Sequence, residues 1–403
     1  MGTPVGTRST TVFRAEFPVL EHTTYLATCS LGARSLPMER ALVAMLDEMT
    51  GQTVPWDRFE AQIALARAGF ARLIGAGPEQ VALVPNATIG AYQAVSGLEF
   101  SARRRIVTSD VEFPSVAHVW LGQRGRGAVV DFVSASDRTP VENDNDAVGT
   151  AESYLAAIDE RAVLISVPLV TYRHAVRPPV AEITAAARAV GALSFVDAYQ
   201  GLGVSTVDVT ELGCDFLVSG TSKYLLGLPG LAFLYVRDID IMARAPSLTG
   251  WFGRVDPYTF DPRELDFPQE ARRLETGTAP VPAVYAANAG LRLLASIRTA
   301  EIVRHVGDLV DQTVRRLTEY GHRIVATSDR PRRGAHVALR VADAARLASW
   351  LSQHRVTVSP RGDVVRLAFH YYNNIDDVDR LCHYLQRYRA ETRGQAHHEN
   401  SRT

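Results

Sequence analysis

Lysine is all but missing from this chain of 403 residues. Of its 43 lysines and arginines, 42 are arginine and only Lys223 is lysine. A GC-rich genome, poor in the A-rich lysine codons, accounts for the scarcity but not for the exception. Cysteine is scarce too: Cys29, Cys214 and Cys382 lie far apart, in no CxxC pair and no metal-ligand spacing. That excludes a disulfide framework and a thiolate metal centre, and the odd set reads as reduced thiols in a cytosol. Excess charge is also lacking. A formal net charge of −1 gives no broad field for nucleic acid or an anionic membrane surface. No apolar run reaches the ~18 residues that a membrane span requires, and the start, MGTPVGTRSTTVFRAEFP, has no apolar leader core. A cytoplasmic protein with no nucleic-acid, membrane or metal partner is expected.

What is present suits a globular chain, with 46% hydrophobic and 22% charged residues and length enough for two domains. Short apolar runs at 104–110, 127–135, 162–170, 192–198, 215–220 and 231–237 read as strands. Several are apolar throughout, as strands covered on both faces of a parallel sheet are. Segments 154–162 and 180–191 read as covering helices, giving a doubly wound α/β sheet. From about Ala283 a long helical pattern leads into short strands and two more helices, the pattern of a smaller α+β domain. The expected organisation is a polar segment at 1–15, a large domain at 16–290, a small domain at 291–390 and a disordered tail at 391–403. The N-terminal part of the large domain is expected to pack on the small domain. Asp137–Val148 reads as a polar surface loop.

The lysine stands in VSGTSKYLLGLPG, a few residues past the apolar run DFLV. Lysine differs from arginine in that its amine can lose a proton and condense with an aldehyde. Lys223 therefore reads either as a surface residue that has not drifted to arginine or as a group retained for covalent work. Its place at the carboxyl end of a strand, where open α/β sheets bind ligands, favours the second reading. Small and hydroxylic neighbours, Ser219 to Ser222, Gly227 and Gly230, suit a flat cofactor and a phosphate.

Two further stretches point the same way. In VDAYQ, Asp197 closes a buried strand, either as an N-cap or structural ion pair or as the partner of a protonated ring nitrogen. In VALVPNATIGAYQAV a strand meets Asn86-Ala87-Thr88 and an apolar helix. Its first N–H groups and the Thr88 hydroxyl read as an ordinary cap or as a phosphate cradle.

With YLATCSLGARSLP, VDAYQ, SGTSKYLLGLPG, RRLETGTAPVPAVYAANAGLRLL and VVRLAFHYYNNIDDVD, nearly the whole chain resembles the class V aminotransferase group of fold-type I pyridoxal phosphate enzymes. That group includes cysteine desulfurases, kynureninases, C–S lyases and an epimerase. The resemblance implies an α/β fold with a large domain built on a mostly parallel mixed sheet and a smaller C-terminal α+β domain. It implies pyridoxal 5'-phosphate as cofactor, an amino acid as substrate, and a homodimer with shared active sites. It further implies that Lys223 takes the cofactor's aldehyde and shuttles a proton, and that Asp197 keeps the pyridine nitrogen protonated. Gln200 would bond the phenolic oxygen. Ala87, Thr88, Thr221 and Ser222 would hold the phosphate, and Phe113 would stack on the ring. Gly277 and Thr278 would reach the neighbouring subunit's phosphate. Arg366 would clamp the substrate carboxylate, a bidentate task suited to guanidinium. Trp251 and Phe252 would line the pocket or pack at the dimer seam.

The chain also departs from the group. A desulfurase carries a nucleophilic cysteine ahead of its carboxylate-binding arginine, and SWLSQHRVTVSPRGDVVR has none. Where the group has a small polar residue followed three positions later by glycine, this chain has Tyr172 and Ala175. Tyr172 or His174 is therefore a candidate reaction-specific group. The resulting expectation is C–S cleavage by β-elimination of an S-conjugated cysteine, as in C–S lyases including those of lincosamide-type antibiotic biosynthesis. Decarboxylation-coupled deamination, aminotransfer and kynureninase-like cleavage stay open.

Overall fold

The apolar runs become strands almost where the pattern places them. The structure, a computed structural model, describes residues 8–51, 53–134, 151–242, 244–325 and 329–400, the last eight by their backbone alone. In chain order the strands are β1 (Thr24–Tyr25), β2 (Val81–Val84), β3 (Arg105–Ser109), β4 (Val129–Val133), β5 (Ala162–Pro168), β6 (Leu193–Asp197) and β7 (Phe216–Gly220). They continue as β8 (Ala232–Val236), β9 (Ile324–Val325), β10 (His336–Arg340), β11 (Val356–Thr357), β12 (Ser359–Arg361) and β13 (Val364–Ala368).

Seven of them form one sheet in the order β2-β8-β7-β6-β5-β3-β4. The β3–β4, β3–β5, β5–β6 and β6–β7 pairs are parallel, and β8 alone runs against its neighbours β2 and β7. β7 and β8 are buried along their whole length, which is why their sequences are apolar without alternation. The edge strand β4 leaves Val129 and Phe132 exposed. A second sheet, β12-β13-β10-β9, is antiparallel and belongs to the C-terminal part of the chain.

The N-terminal segment is more ordered than its polar composition suggests. Residues 1–7 lie outside the described residues, but Thr10–Arg14 is a helix capped by Ser9. Its Phe13 is fully buried against Phe17, His370 and Tyr371. Burying such a ring stabilises by roughly 1.5–3 kcal/mol, enough to fix a short segment. β1 then pairs in parallel with β11, Thr24 opposite Val356 and Tyr25 opposite Thr357.

Two expectations need correction. The helix read over 154–162 ends at Leu155, because Asp159 folds the chain back on Arg161 and Ala162 in a turn. The tail read as disordered from residue 391 continues the helix Ile375–Asn400. There Glu391 accepts from Trp350 Nε1 and Arg387, which ties the helix to the body. The polar loop 137–148 lies outside the described residues. No helix among the described residues is long and apolar enough to cross a membrane.

Candidate active site

Five strands of the large sheet send their carboxyl ends to one place. The loops after β2, β3, β5, β6 and β7 enclose a cavity of about 220 Å³. Its walls carry Ala87 and Thr88, Glu112 and Phe113, Tyr172, Asp197, Tyr199, Gln200 and Lys223.

The β2 loop ends in Asn86, whose side chain caps the helix Ala87–Ser96 by accepting from Ile89 N at 3.0 Å. The first N–H groups of that helix have no intrahelical acceptor and carry the positive end of its dipole. Ala87 and Thr88 line the cavity there, a setting that fits a phosphate.

Asp197 closes β6 and is buried. Its Oδ1 accepts from Tyr199 N at 2.9 Å, and Lys223 is the nearby cation. Burial still raises its carboxyl above the ordinary range. Gln200 donates to the Cys29 carbonyl at 3.0 Å, and its buried amide oxygen has no partner among the described residues. A bound polar ring substituent would face that amide.

Lys223 Nζ lies 4.1 Å from the centre of the Tyr199 ring and 5.5 Å from that of Phe113. Burial pushes the ammonium down to about 8, and the neighbouring Arg366 and Arg361 act in the same direction. Asp197 and Cys29 oppose that shift. The Lys223 loop is held rigidly. Gly32 N donates to Ser222 O at 2.7 Å, and His370 Nε2 bonds the Tyr224 carbonyl at 3.0 Å. Gly227 sits against Thr221 and the helix Val281–Ala295, so it serves the packing of the loop and not the approach of a flat ligand.

The remaining expected site residues are not among those lining the cavity. Thr221 does not line the cavity: its hydroxyl donates to the Leu228 and Leu231 carbonyls and so braces the loop. Ser222 Oγ shares a 2.9 Å hydrogen bond with Tyr199 OH at the cavity's edge. Arg366 is buried behind Tyr172, donating to its carbonyl at 2.8 Å and to Ser359 Oγ at 2.7 Å, with Nε unpartnered among the described residues. His174 lies off the cavity with both ring nitrogens unpartnered among the described residues, and burial pushes it down to about 4. Gly277 and Thr278 are exposed and away from the cavity. Trp251 packs with Phe252, Tyr258 and Phe260 in an aromatic cluster that also lies outside it.

Sequence reasoning missed Tyr199, Glu112 and the position of Cys29. The Tyr199 ring lies where a Cβ on Gly220 would be, so that glycine is what admits it. Cys29 is buried beside Lys223 and Arg366, and burial raises its thiol above the ordinary range. Among the described residues no group of three or more His, Cys, Asp or Glu could hold a metal ion.

Known proteins resemble this chain over most of its length. The family model for aminotransferase class-V matches residues 50–381. An uncharacterized aminotransferase of Bacillus subtilis, YcbU, is 35% identical over 366 residues, covering 91% of this chain and 94% of its own. The kynureninase of Geobacillus thermodenitrificans is 26% identical over 94% of this chain and 91% of its own. A cysteine desulfurase from Thermococcus onnurineus shares the fold, with a TM-score of 0.83 at 21% identity over 95% of this chain and 98% of its own.

Proposed function

The chain belongs to the aminotransferase class-V family, and from that premise we propose that it is a pyridoxal phosphate enzyme cleaving the C–S bond of an S-conjugated cysteine by β-elimination. The observation that carries the cofactor reading is the convergence of Lys223, Asp197, Gln200, Phe113, Ala87 and Thr88 on one cavity. Bound there, pyridoxal phosphate supplies an aldehyde that takes an amine and a protonated ring that withdraws electrons from the substrate's Cα.

The chain's own residues then divide the work. The helix start at Ala87 and Thr88, with Ser222 at the cavity's edge, would hold the phosphate end. Asp197 would keep the proton on the ring nitrogen, and Phe113 would cover one face of the ring. Lys223, with an ammonium lowered to about 8, is partly neutral near physiological pH. It can therefore accept the Cα proton at Nζ and return it. Arg366 receives the substrate carboxylate once it exchanges the Tyr172 carbonyl for it, and Tyr172 stands at the cavity wall as a reaction-specific group.

Elimination is favoured over sulfur transfer to the protein by the short β12–β13 hairpin, which carries no cysteine on the approach to Arg366. The cysteine that does lie near Lys223, Cys29, is buried with its thiol raised, a poor sulfur acceptor. As the Cα proton passes to Lys223, the Cβ–S bond breaks and the sulfur leaves as a thiol, with pyruvate and ammonia the other products after hydrolysis.

Incubating the holoenzyme with S-substituted cysteines and identifying products by mass spectrometry tests this. Equal amounts of thiol, pyruvate and ammonia are expected. An aldehyde with CO2, alanine with a persulfide, or transfer of the amine to an oxo acid would each replace the elimination reading.

A further inference from the structure

Glu112 lines the same cavity as Asp197 and Lys223, yet none of the roles above uses it. It sits on the loop after β3 and is 4% exposed. Its oxygens meet only neutral groups: Phe113 N donates to Oε1 at 2.9 Å, and Oε2 lies 2.9 Å from Ser166 Oγ, a hydroxyl able to donate to a carboxylate or to accept from a carboxylic acid. Behind them the Tyr154 hydroxyl donates to the Ser166 carbonyl at 3.2 Å. Among the described residues no Arg, Lys or His acts on Glu112, whereas Asp197 has Lys223.

The cavity thus holds two buried carboxyls and one lysine. A buried carboxylate without a cation is costly, and a second negative charge beside it adds to the cost. We propose that Glu112 is a positioning residue for Asp197: a neutral carboxylic acid that leaves the buried pair with one negative charge and directs it at the cofactor's ring nitrogen. The last step rests on the pyridoxal phosphate reading, but the retained proton belongs to the protein without cofactor.

The surroundings agree. Burial first, and then the charge of Asp197, push the Glu112 carboxyl up to about 8, against the hydrogen bonds from Phe113 N and Ser166 Oγ, which favour the ionised form. Facing it are Asp197 from β6, Ser166 from β5 and Tyr154 from the helix Ala151–Leu155, while Lys223, from the loop after β7, lines the same cavity on the Asp197 side. Tyr154 is pushed well up and stays a neutral phenol, with Asp110 as a further carboxylate near it.

Between the ordinary carboxyl range and about pH 8 the folded protein therefore keeps a proton that the unfolded chain has lost. Stability from this group is complete at low pH and falls as pH rises through that window. E112Q has no such proton to lose.

The test compares thermal unfolding of the cofactor-free wild type and E112Q across this pH range. It also compares cofactor dissociation from the holo forms of wild type, E112Q and E112A. The wild type should lose stability with pH at a slope steeper than that of E112Q by about one proton. E112Q should hold the cofactor within about threefold of wild type and E112A roughly tenfold more weakly, since only the amide can accept from Phe113 N and donate to Ser166 Oγ as a neutral acid does. Parallel stability profiles for wild type and E112Q, or cofactor loss from E112Q equal to that from E112A, would overturn the proposal. If E112Q does not fold, Ser166→Ala replaces it: withdrawing that donor should extend the sloping range to higher pH, and an unchanged profile overturns the proposal. A cofactor-free protein that shows the slope but never binds pyridoxal phosphate contradicts the cofactor reading and leaves the retained proton standing.

Discussion

Lys223 is half-buried between the Tyr199 and Phe113 rings, where a charged ammonium is poorly solvated and its neutral amine is correspondingly favoured. The reactive form therefore becomes abundant near pH 8 and not near the ordinary lysine value. The rate at which cofactor-free protein captures pyridoxal phosphate should climb about tenfold per pH unit below about 8 and level off above it. Stopped-flow absorbance would read this, and a rate still climbing at pH 10 would mean an ordinary, solvated lysine. Much of the site was legible at this scale because its residues stand in short motifs: Lys223 in SGTSK, Asp197 and Gln200 in VDAYQ, Thr88 in PNAT. Tyr199 lies inside VDAYQ and was passed over, because nothing local says that its ring occupies the space Gly220 leaves open. Glu112 was passed over because its partners, Ser166 and Asp197, arrive from β5 and β6 far along the chain.

At the scale of elements, the strands were readable because those buried on both faces must be apolar throughout, and β7 and β8 are. The turn after β5 was readable as an anomaly only. Ala175, where the resemblance implies glycine, has φ of +56°, so the backbone keeps a left-handed conformation that disfavours a Cβ. Replacing it with glycine should stabilise the protein by about 1 kcal/mol, a rise in Tm of roughly 1–3 °C. A lower Tm in thermal unfolding would show that packing of the Ala175 methyl outweighs the strain. The false helix at 154–162 and the unexpected one at 391–400 share a cause. Helix ends are decided by single side chains, here Asp159 and Glu391, whose partners the periodicity of the sequence does not reveal.

For the molecule as a whole, Gly277 and Thr278 are exposed and do not reach the chain's own cavity, as a loop serving a second subunit would be. The protein should sediment at about twice the 44.1 kDa of one chain, and Thr278→Ala should weaken cofactor binding without altering that mass. A monomer that binds the cofactor fully would remove the shared-site account. Two-domain organisation could be read from the change of pattern near Ala283, whereas the packing of Phe13 on His370 could not, since it joins residues at opposite ends of the sequence. The central claim is that Lys223 carries the cofactor, and the composition that opened the question makes it directly measurable. Borohydride reduction of the holo protein, followed by peptide mass spectrometry, should place one pyridoxyl group on Lys223 and leave none on a Lys223→Arg variant. An unmodified Lys223, or a reduced adduct found elsewhere, would contradict the account.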